Sequence, residues 1–422
     1  MSNKKVMIKN GIQLHEIQTN KFKTNLLAIF LTTPLTRKHV TENAVIGTLL
    51  KRGSKTMPSQ EKINENLEEM YGAAFDSGIE KTGDNQVLKF YLEIIQDEYL
   101  PEKEKLLQKG IETLLEIVCN PYVENDQFKP EYVETEKEKI KQIIEGKIDN
   151  KAAYALDKCI ENMYENKSYS LYRYGYVEDL ENMTPQSLYK QYKNLIQNCK
   201  IDIFISGNIE NEIIENIKNN ELIQELPERK IEILQEENLK EVKEPKEIVE
   251  HKDVTQGKLI LGLTATKKEE IKDYNYVTMV YNAILGGGAN SKMFQNVREK
   301  ASLAYTVSSN YVKMKENIFI RAGIEIQNYK KALEIIQKQL KDMKEGNFTK
   351  EDIQNAKNLI LSTIDGINEE QDSEISYYFG QEIAGTNMEI EEYKNRIKAV
   401  TKEEIEKVAN TINVNTIYFL RD

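Results

Sequence analysis

One stretch in the second half of the chain combines a run of glycines with an arginine and a tyrosine. Gly286, Gly287 and Gly288 follow an apolar segment, and the next segment predicts a helix that carries Arg298 near its end. Seven residues later, Tyr305 is expected to enter a strand. A guanidinium and a phenol together offer several N–H and O–H donors, so they can bind carbonyl oxygens of an extended peptide. The same donors can stabilise developing negative charge on a scissile carbonyl.

The glycines allow a left-handed or closely packed backbone, and Asn290 or Ser291 can cap the helix that follows. A simpler interpretation stays open on residues alone. In that interpretation Arg298 pairs with a local carboxylate, Tyr305 belongs to the core, and the glycines only form a turn.

The chain contains few residues that could bind a metal ion or act as a nucleophile. The chain has three histidines and three cysteines, namely His15, His39, His251, Cys119, Cys159 and Cys199. None has the spacing of a zinc site, and without a C-x-x-C pair the cysteines are expected to be free thiols of a reducing compartment. His39 has Glu42 three residues on but no second histidine, so all three histidines are expected to be surface or structural residues. No serine-hydrolase elbow or phosphate loop appears either, and we expect no metal and no cofactor.

The 422 residues (48.9 kDa) predict two or three domains. A net charge of −11 makes binding to a phosphate backbone a poor prospect. The first residues lack the apolar segment of a signal peptide. The longest uncharged stretch, residues 274–291, predicts a buried amphipathic helix and a loop rather than a membrane span. We expect a cytoplasmic protein with no nucleic-acid or membrane partner.

The elements that position these residues are predicted to be two copies of one unit. Residues 225–252 are dense in Glu and Lys, contain Pro227 and Pro245, and predict a linker with a short strand at 231–234. The linker divides the chain into an N-terminal domain, residues 1–224, and a C-terminal domain, residues 253–422. Chance similarity of two unrelated α+β domains is the alternative to duplication.

The order of predicted elements agrees between the halves. Each half opens with an apolar strand, at 25–31 and 258–264, and continues with a strand pair and long amphipathic helices. Each closes with a helix and a strand, and Thr184 and Thr401 stand where helix caps belong, with Glu404 completing a capping box. This order without regular βαβ alternation predicts α+β domains, each an antiparallel sheet packed with helices.

The stretch from Leu285 to Tyr305 resembles the C-terminal-domain signature of the insulinase/pitrilysin family of metallopeptidases. Flanking positions also match it, namely Ser291, Phe294, Glu299, Leu303 and Ala304. The resemblance implies that Arg298 and Tyr305 bind substrate and that the loop of Gly286, Gly287 and Gly288 helps to admit it. It covers nearly the whole chain, since half-size members of the family consist of two duplicated α+β sandwich domains that form half of a clam shell.

The zinc motif of that family is missing. Active members carry H-x-x-E-H, whose histidines bind zinc and whose glutamate is the general base. The residues that follow the motif in the family correspond to residues 49–54 here. Ala44 and Thr48 therefore stand at the positions of the two histidine ligands, and Gly47 stands at the position of the base. The third ligand, a glutamate, falls on Ile143, with Glu145 close by if the register shifts. The resemblance therefore implies an inactive homologue from the half-size, non-catalytic branch.

The loss of the zinc positions beside an intact Arg–Tyr pair predicts the non-catalytic subunit of a heterodimeric zinc processing peptidase. A zinc-bearing half-size paralogue would be the partner, a peptide or protein the substrate, and the pair would act in trans. The resemblance also suggests a link to modification of elongation factor P. The alternative is a stand-alone homodimer that binds peptides or serves as a scaffold without proteolysis. A third reading, an active hydrolase with relocated ligands, would require zinc in the purified chain.

Overall fold

The computed structural model describes residues 3–102, 104–236, 239–240, 242–266 and 271–422. The strands are β1 (Asn3–Lys9), β2 (Ile12–Gln18), β3 (Thr24–Pro34), β4 (Ala74–Thr82), β5 (Asn85–Ile95), β6 (Val123–Glu124), β7 (Gln127–Phe128), β8 (Lys200–Gly207), β9 (Lys246–His251), β10 (Gly257–Ala265), β11 (Ala304–Val312), β12 (Asn317–Ile324) and β13 (Ile412–Arg421). The α-helices are α1 (Val40–Leu49), α2 (Gln60–Glu69), α3 (Leu106–Cys119), α4 (Pro130–Glu145), α5 (Lys151–Met163), α6 (Val177–Leu180), α7 (Pro185–Asn198), α8 (Asn211–Asn219), α9 (Glu221–Glu225), α10 (Tyr274–Gly286), α11 (Tyr329–Lys344), α12 (Lys350–Ile367), α13 (Gln371–Ile383), α14 (Ile390–Ala399) and α15 (Lys402–Thr411). Within these residues, no helix combines the length and apolarity that a membrane crossing requires.

The two main sheets share one topology. The first has the strand order β1-β2-β8-β3-β5-β4, and the second has the order β11-β12-β10-β13-β9. Read from its other end, the second sheet repeats the first without β1. Each sheet also contains one parallel pair at the equivalent place, β2 with β8 and β9 with β13, whereas its other pairs are antiparallel. The predicted duplicated α+β fold is confirmed.

The chain folds into two compact units, and each takes one helix from the other half of the sequence. The first unit comprises the described residues of 1–145, 171–235 and 370–386, and therefore includes α13. The second comprises those of 146–170, 236–369 and 387–422, and therefore includes α5. These two helices occupy equivalent places in the two repeats, which adds a second argument for duplication.

Helix α13 covers the second face of the first sheet. The ring of Phe379 packs edge-on against Phe30 of β3, with the ring centroids 4.7 Å apart, and also contacts Phe204 of β8. The opposite face of β3 packs into the core formed with α1 and α3. Because both faces are covered, β3 is a continuous apolar run at its centre, and β8 is buried along its whole length although it carries Lys200 and Asp202.

Helix α5 has the same role in the second unit. It packs against β10 and β13, where Cys159 and Met163 join a core with Phe319 and Tyr418. Gly262 of β10 permits this approach, because a Cβ at that position would lie 2.5 Å from Met163 Sδ. A larger residue there would push α5 off the sheet.

The interval predicted as a linker contains two features that its composition conceals. The short strand expected at 231–234 is wrong. Leu234 instead exchanges two hydrogen bonds with the side chain of Asn85, at 2.8 and 2.9 Å, so its backbone groups are not available to a ladder. Further on, β9 pairs in parallel with β13 and forms one edge of the second sheet. The predicted caps Thr184 and Thr401 are confirmed, the latter in a capping box with Glu404.

Helix α13 also buries an unpaired carboxyl group. Glu374 is fully buried, and neither of its carboxyl oxygens has a hydrogen-bond partner among the described residues. Burial raises the pKa of Glu374, and the charge of Lys21 opposes that rise only in part. The folded protein thus holds this proton more tightly than the unfolded chain does. Stability is therefore lost as the pH rises above about 4.3, the ordinary pKa of glutamate.

We expect Glu374→Gln to raise the Tm at pH 7.5 by about 2–4 °C, since removing the buried charge is worth about 1 kcal/mol. The gain should vanish below about pH 4, where the wild-type carboxyl is neutral in both states. Melting curves between pH 3.5 and 8 measure it. Glu61→Gln, at an exposed position on α2, is the matched control and should leave the curve unchanged. An unchanged or lower Tm for Glu374→Gln at pH 7.5 would contradict the conclusion that the buried carboxyl group of Glu374 destabilises the folded protein at that pH.

Candidate functional site

The glycine run ends α10 where that helix meets the edge strand β11. A Cβ on Gly286 would lie 2.6 Å from the backbone nitrogen of Ser309, so only glycine allows this approach. Gly287 closes the helix with φ −81°, and none of the three glycines has the positive φ that would mark a left-handed turn. The sequence suggested either a left-handed turn or a close approach of the backbone for these glycines, and the structure shows the close approach.

The next helical segment places Arg298 at its end. Ser291 begins it, with its Oγ accepting from Phe294 N at 3.4 Å, as the sequence predicted. Residues Phe294–Lys300 then form a π-helix, whose wider turn is common near functional positions. The guanidinium of Arg298 stacks over the ring of Phe294 at 4.6 Å, and its Nε makes a long ion-pair contact of 3.7 Å with the carboxylate of Glu299.

Tyr305 lies at an irregularity in β11. The pairing register with β12 shifts between Ala304 and Thr306, which leaves Tyr305 outside the regular ladder. Its side chain is 61% exposed, and its hydroxyl has no hydrogen-bond partner among the described residues. The simpler interpretation of Tyr305 as a core residue does not agree with this exposure.

A tight turn joins the two residues. Ser302, with φ 52°, donates its backbone N–H to Arg298 O at 3.1 Å, and Leu303 N donates to Val297 O at 3.0 Å. The π-helix therefore packs directly on the start of β11. Both Arg298 and Tyr305 present polar hydrogens to solvent from adjoining elements, an arrangement able to bind carbonyl oxygens of a chain laid along this edge.

The positions corresponding to the zinc motif lie on α1, which is buried on nearly all sides. Ala44 is fully buried in the first core, and a Cβ on Gly47 would already lie 3.3 Å from side-chain carbons of Ile79 and Leu88. The Thr48 hydroxyl donates to the backbone oxygen of Val45 at 2.9 Å. A methyl group, a hydrogen and an internally bonded hydroxyl cannot ligate zinc or act as a base, so these residues do not fit the metal.

The helix expected to hold the third ligand, α4, does pack against α1. Ile143 is 39% exposed near its end, and Glu145 is exposed as well. The carboxylate that α4 buries is instead Glu136, which is 2% exposed and accepts from the guanidinium of Arg52, directly after α1, and from Lys139 at 3.0 Å. Across the described ranges, no three His, Cys, Asp or Glu side chains form a group able to hold a metal ion.

The Arg52–Glu136 pair was missed by the sequence argument. Glu136 stands in a run of alternating Glu and Lys that is typical of a solvated helix face, and Arg52 follows α1 as an ordinary charged residue. The available signal was position, since Arg52 closely follows the degenerate motif and Glu136 precedes the third-ligand position Ile143 on α4. The two cations balance the charge of the buried Glu136 carboxylate. This carboxylate is therefore not available as a metal ligand.

The histidines are structural or surface residues, as expected. His15 is fully buried, with Nε2 at 2.9 Å from Asp202 and its ring stacked on Phe204. His39 contacts Glu42 at 2.7 Å, and His251 lies exposed at the end of β9. All three cysteines are free thiols.

Comparisons with known proteins agree with this geometry. Residues 182–360 match the family model described as the peptidase M16 inactive domain. The chain is 34% identical over 418 residues to the probable inactive metalloprotease YmfF of Bacillus subtilis, covering 97% of this chain and 96% of that protein. It is 26% identical over 164 residues to YmxG, an uncharacterized zinc protease of the same organism, covering 38% of this chain and 40% of that protein. The crystal structure of a conserved protein from Enterococcus faecalis matches over 100% of this chain and 99% of that one, with a TM-score of 0.88 and 27% identity.

Proposed function

The chain belongs to the M16 peptidase family as an inactive metalloprotease homologue, and we propose that it is the non-catalytic subunit of a heterodimeric zinc peptidase. One observation carries the proposal. Tyr305 is exposed and Arg298 makes only surface contacts, with Phe294 and Glu299, whereas the helix that corresponds to the zinc motif is part of the core. In the proposed complex, a zinc-bearing paralogue supplies the metal and this chain supplies the two donors in trans.

The relatives provide a plausible setting for such a division of labour. Bacillus subtilis has one matching protein named as an inactive metalloprotease and another named as a zinc protease. In a zinc peptidase, donors at a developing oxyanion contribute to the rate only where they lie beside the metal-bound water that attacks the carbonyl. An exposed pair without metal in its own chain therefore favours a partner that carries it.

The association is tested by co-expressing this chain, carrying a tag, with the half-size paralogue of the same genome that has an intact H-x-x-E-H. We expect the two proteins to co-purify, to have the mass of a 1:1 complex in light scattering, and to contain one zinc per complex by elemental analysis. The chain alone should contain none. A stable homodimer that ignores the paralogue and still binds peptide would replace the proposal by the scaffold alternative. One equivalent of zinc in the purified chain would exclude both readings.

A further inference from the structure

The second unit contains a cavity of about 580 Å³ between α10, α12, α14 and the edge strand β11, within the usual range for ligand pockets. Its wall is mainly apolar, formed by Met279, Ala283, Leu359, Ile360, Ile364 and Tyr393. Leu359 is 43% exposed, so part of this apolar wall faces solvent. An exposed apolar wall of this kind is unfavourable unless something covers it.

A single cation faces the apolar wall. Lys313 lines the cavity, and among the described residues its ammonium has no carboxylate partner. Its nearest recorded interaction is with the ring of Tyr276, whose centroid is 5.6 Å from Nζ. Burial lowers the pKa of Lys313, which indicates that the ammonium is poorly solvated. A partly desolvated and unpaired cation gains more from an anionic ligand than a surface lysine does.

The cavity also contains an unused acceptor. Asn282 lines it, and the orientation of its amide is fixed by the Nδ2 donation to Ser309 O at 3.3 Å. Its Oδ1 is buried and has no hydrogen-bond partner in the part of the chain that the structure describes. Leaving such a buried acceptor unpaired is unfavourable. Since this Oδ1 is closed to solvent, a ligand N–H group reaches it only if the Asn282 side chain turns towards the cavity.

We propose that this cavity binds the free C-terminus of a peptide, with the carboxylate on Lys313 and an apolar terminal side chain against Leu359 and Ile364. The proposal rests on the proposed function in that the occupant is a peptide. The cavity offers a cation and an apolar wall, and a peptide ending in leucine or a similar residue provides the matching anion and apolar body. A fatty acid provides these two groups as well, and the peptide is the occupant that agrees with the proposed function. Residues 309–311 of β11 line the cavity, and the same strand carries Tyr305.

Fluorescence anisotropy on the full chain alone tests this proposal. The probes are a fluorescein-labelled dodecapeptide ending in Leu-Leu with a free carboxylate and the same peptide with a C-terminal amide. We expect the free acid to bind about 10–100-fold more tightly, the effect of one charge-assisted hydrogen bond.

Lys313→Gln should weaken the acid to the affinity of the amide and leave the amide unchanged. Lys331→Gln, an exposed lysine on α11, is the matched charge control and should change neither. Leu359→Asn, at a half-exposed position that tolerates a polar residue, should weaken both peptides.

Competition with oleate tests whether the cavity binds a fatty acid instead of a peptide. We expect oleate to displace the labelled peptide poorly. Tight oleate binding with equal affinity for acid and amide would overturn the proposal, as would equal acid and amide affinities without oleate binding. In that second case the proposed heterodimer would be unaffected, since Arg298 and Tyr305 lie outside the cavity lining. A clear preference for the free acid without any association with the paralogue would instead keep the C-terminal site and refute the heterodimer.

Discussion

In a complex reconstituted with the zinc-bearing paralogue, Arg298→Ala is expected to lower kcat/KM by about 10²–10³-fold, the usual effect of removing one oxyanion donor. We expect the loss to arise from weaker binding of the transition state, because Arg298 contributes little to the stability of the folded chain. Its contacts are a stacked ring, Phe294, and a 3.7 Å approach to Glu299 at the surface. Substitutions at such positions usually change stability by less than about 0.5 kcal/mol. The melting temperature and the association with the paralogue should therefore stay the same.

The measurement is the cleavage rate of an internally quenched peptide library by the complex, with the variant present in this chain only. Lys300→Ala is the matched control, since Lys300 lies two residues later on the same π-helix and, among the described residues, its side chain donates only to Asn296, at 3.2 Å. Tyr305→Phe keeps the ring and removes one donor, for which about a tenfold loss is expected. Equal rates for Arg298→Ala and Lys300→Ala would show that the guanidinium has no part in the reaction, and the trans role would be lost.

Sequence patterns located the elements of this fold well but not the sheet on which each element packs. The apolar segment at 25–31 predicts a strand, and it lies within β3, which the structure covers on both faces. The amphipathic patterns of α5 and α13 identify helices with one buried face, yet a pattern does not state which sheet buries it. The exchange of these helices between the units follows from packing across the whole chain, as in the contact of Phe379 with Phe30. No local signal carries that information.

The same limit applies to the two sites. The motif from Leu285 to Tyr305 predicts the helix cap, Arg298 near a helix end and Tyr305 at the start of a strand, and the structure has all three, because short-range spacing determines each of them. Glu136 and Lys313 were not distinguished, because each stands among other charged residues in the sequence. What sets them apart is burial, which depends on α1 for Glu136 and on the apolar cavity wall for Lys313. Charged residues that the fold desolvates can be found only once the packing is known.

Reintroducing the zinc-motif base by Gly47→Glu is expected to destabilise the first unit by about 3–5 kcal/mol without creating a metal site. A Cβ alone would lie 3.3 Å from Ile79 and Leu88, so a longer side chain overpacks the core, at a cost of about 1–3 kcal/mol. Its carboxyl group would be buried without a partner, at a similar cost. The Tm should fall by on the order of 10 °C.

Gly47→Ala is the matched control for this substitution. The added methyl meets the ends of flexible side chains at 3.3 Å, while alanine favours the helix by about 1 kcal/mol over glycine. The two effects oppose each other, and we expect a change of less than about 1 kcal/mol. The triple variant with Ala44→His, Gly47→Glu and Thr48→His should be less stable still and should not retain zinc on dialysis, because Ala44 is fully buried.

Thermal melting and zinc analysis of these variants decide between two explanations of the missing motif. A triple variant that is as stable as the wild type and binds one equivalent of zinc would show that a metal site survives and that only its ligands were lost. The structure supports the other explanation. Helix α1 is packed on nearly all sides, and the carboxylate that α4 buries beside it is bound by Arg52. The space that a metal and its ligands would need has become core, so the loss of zinc chemistry is built into the stability of the first unit.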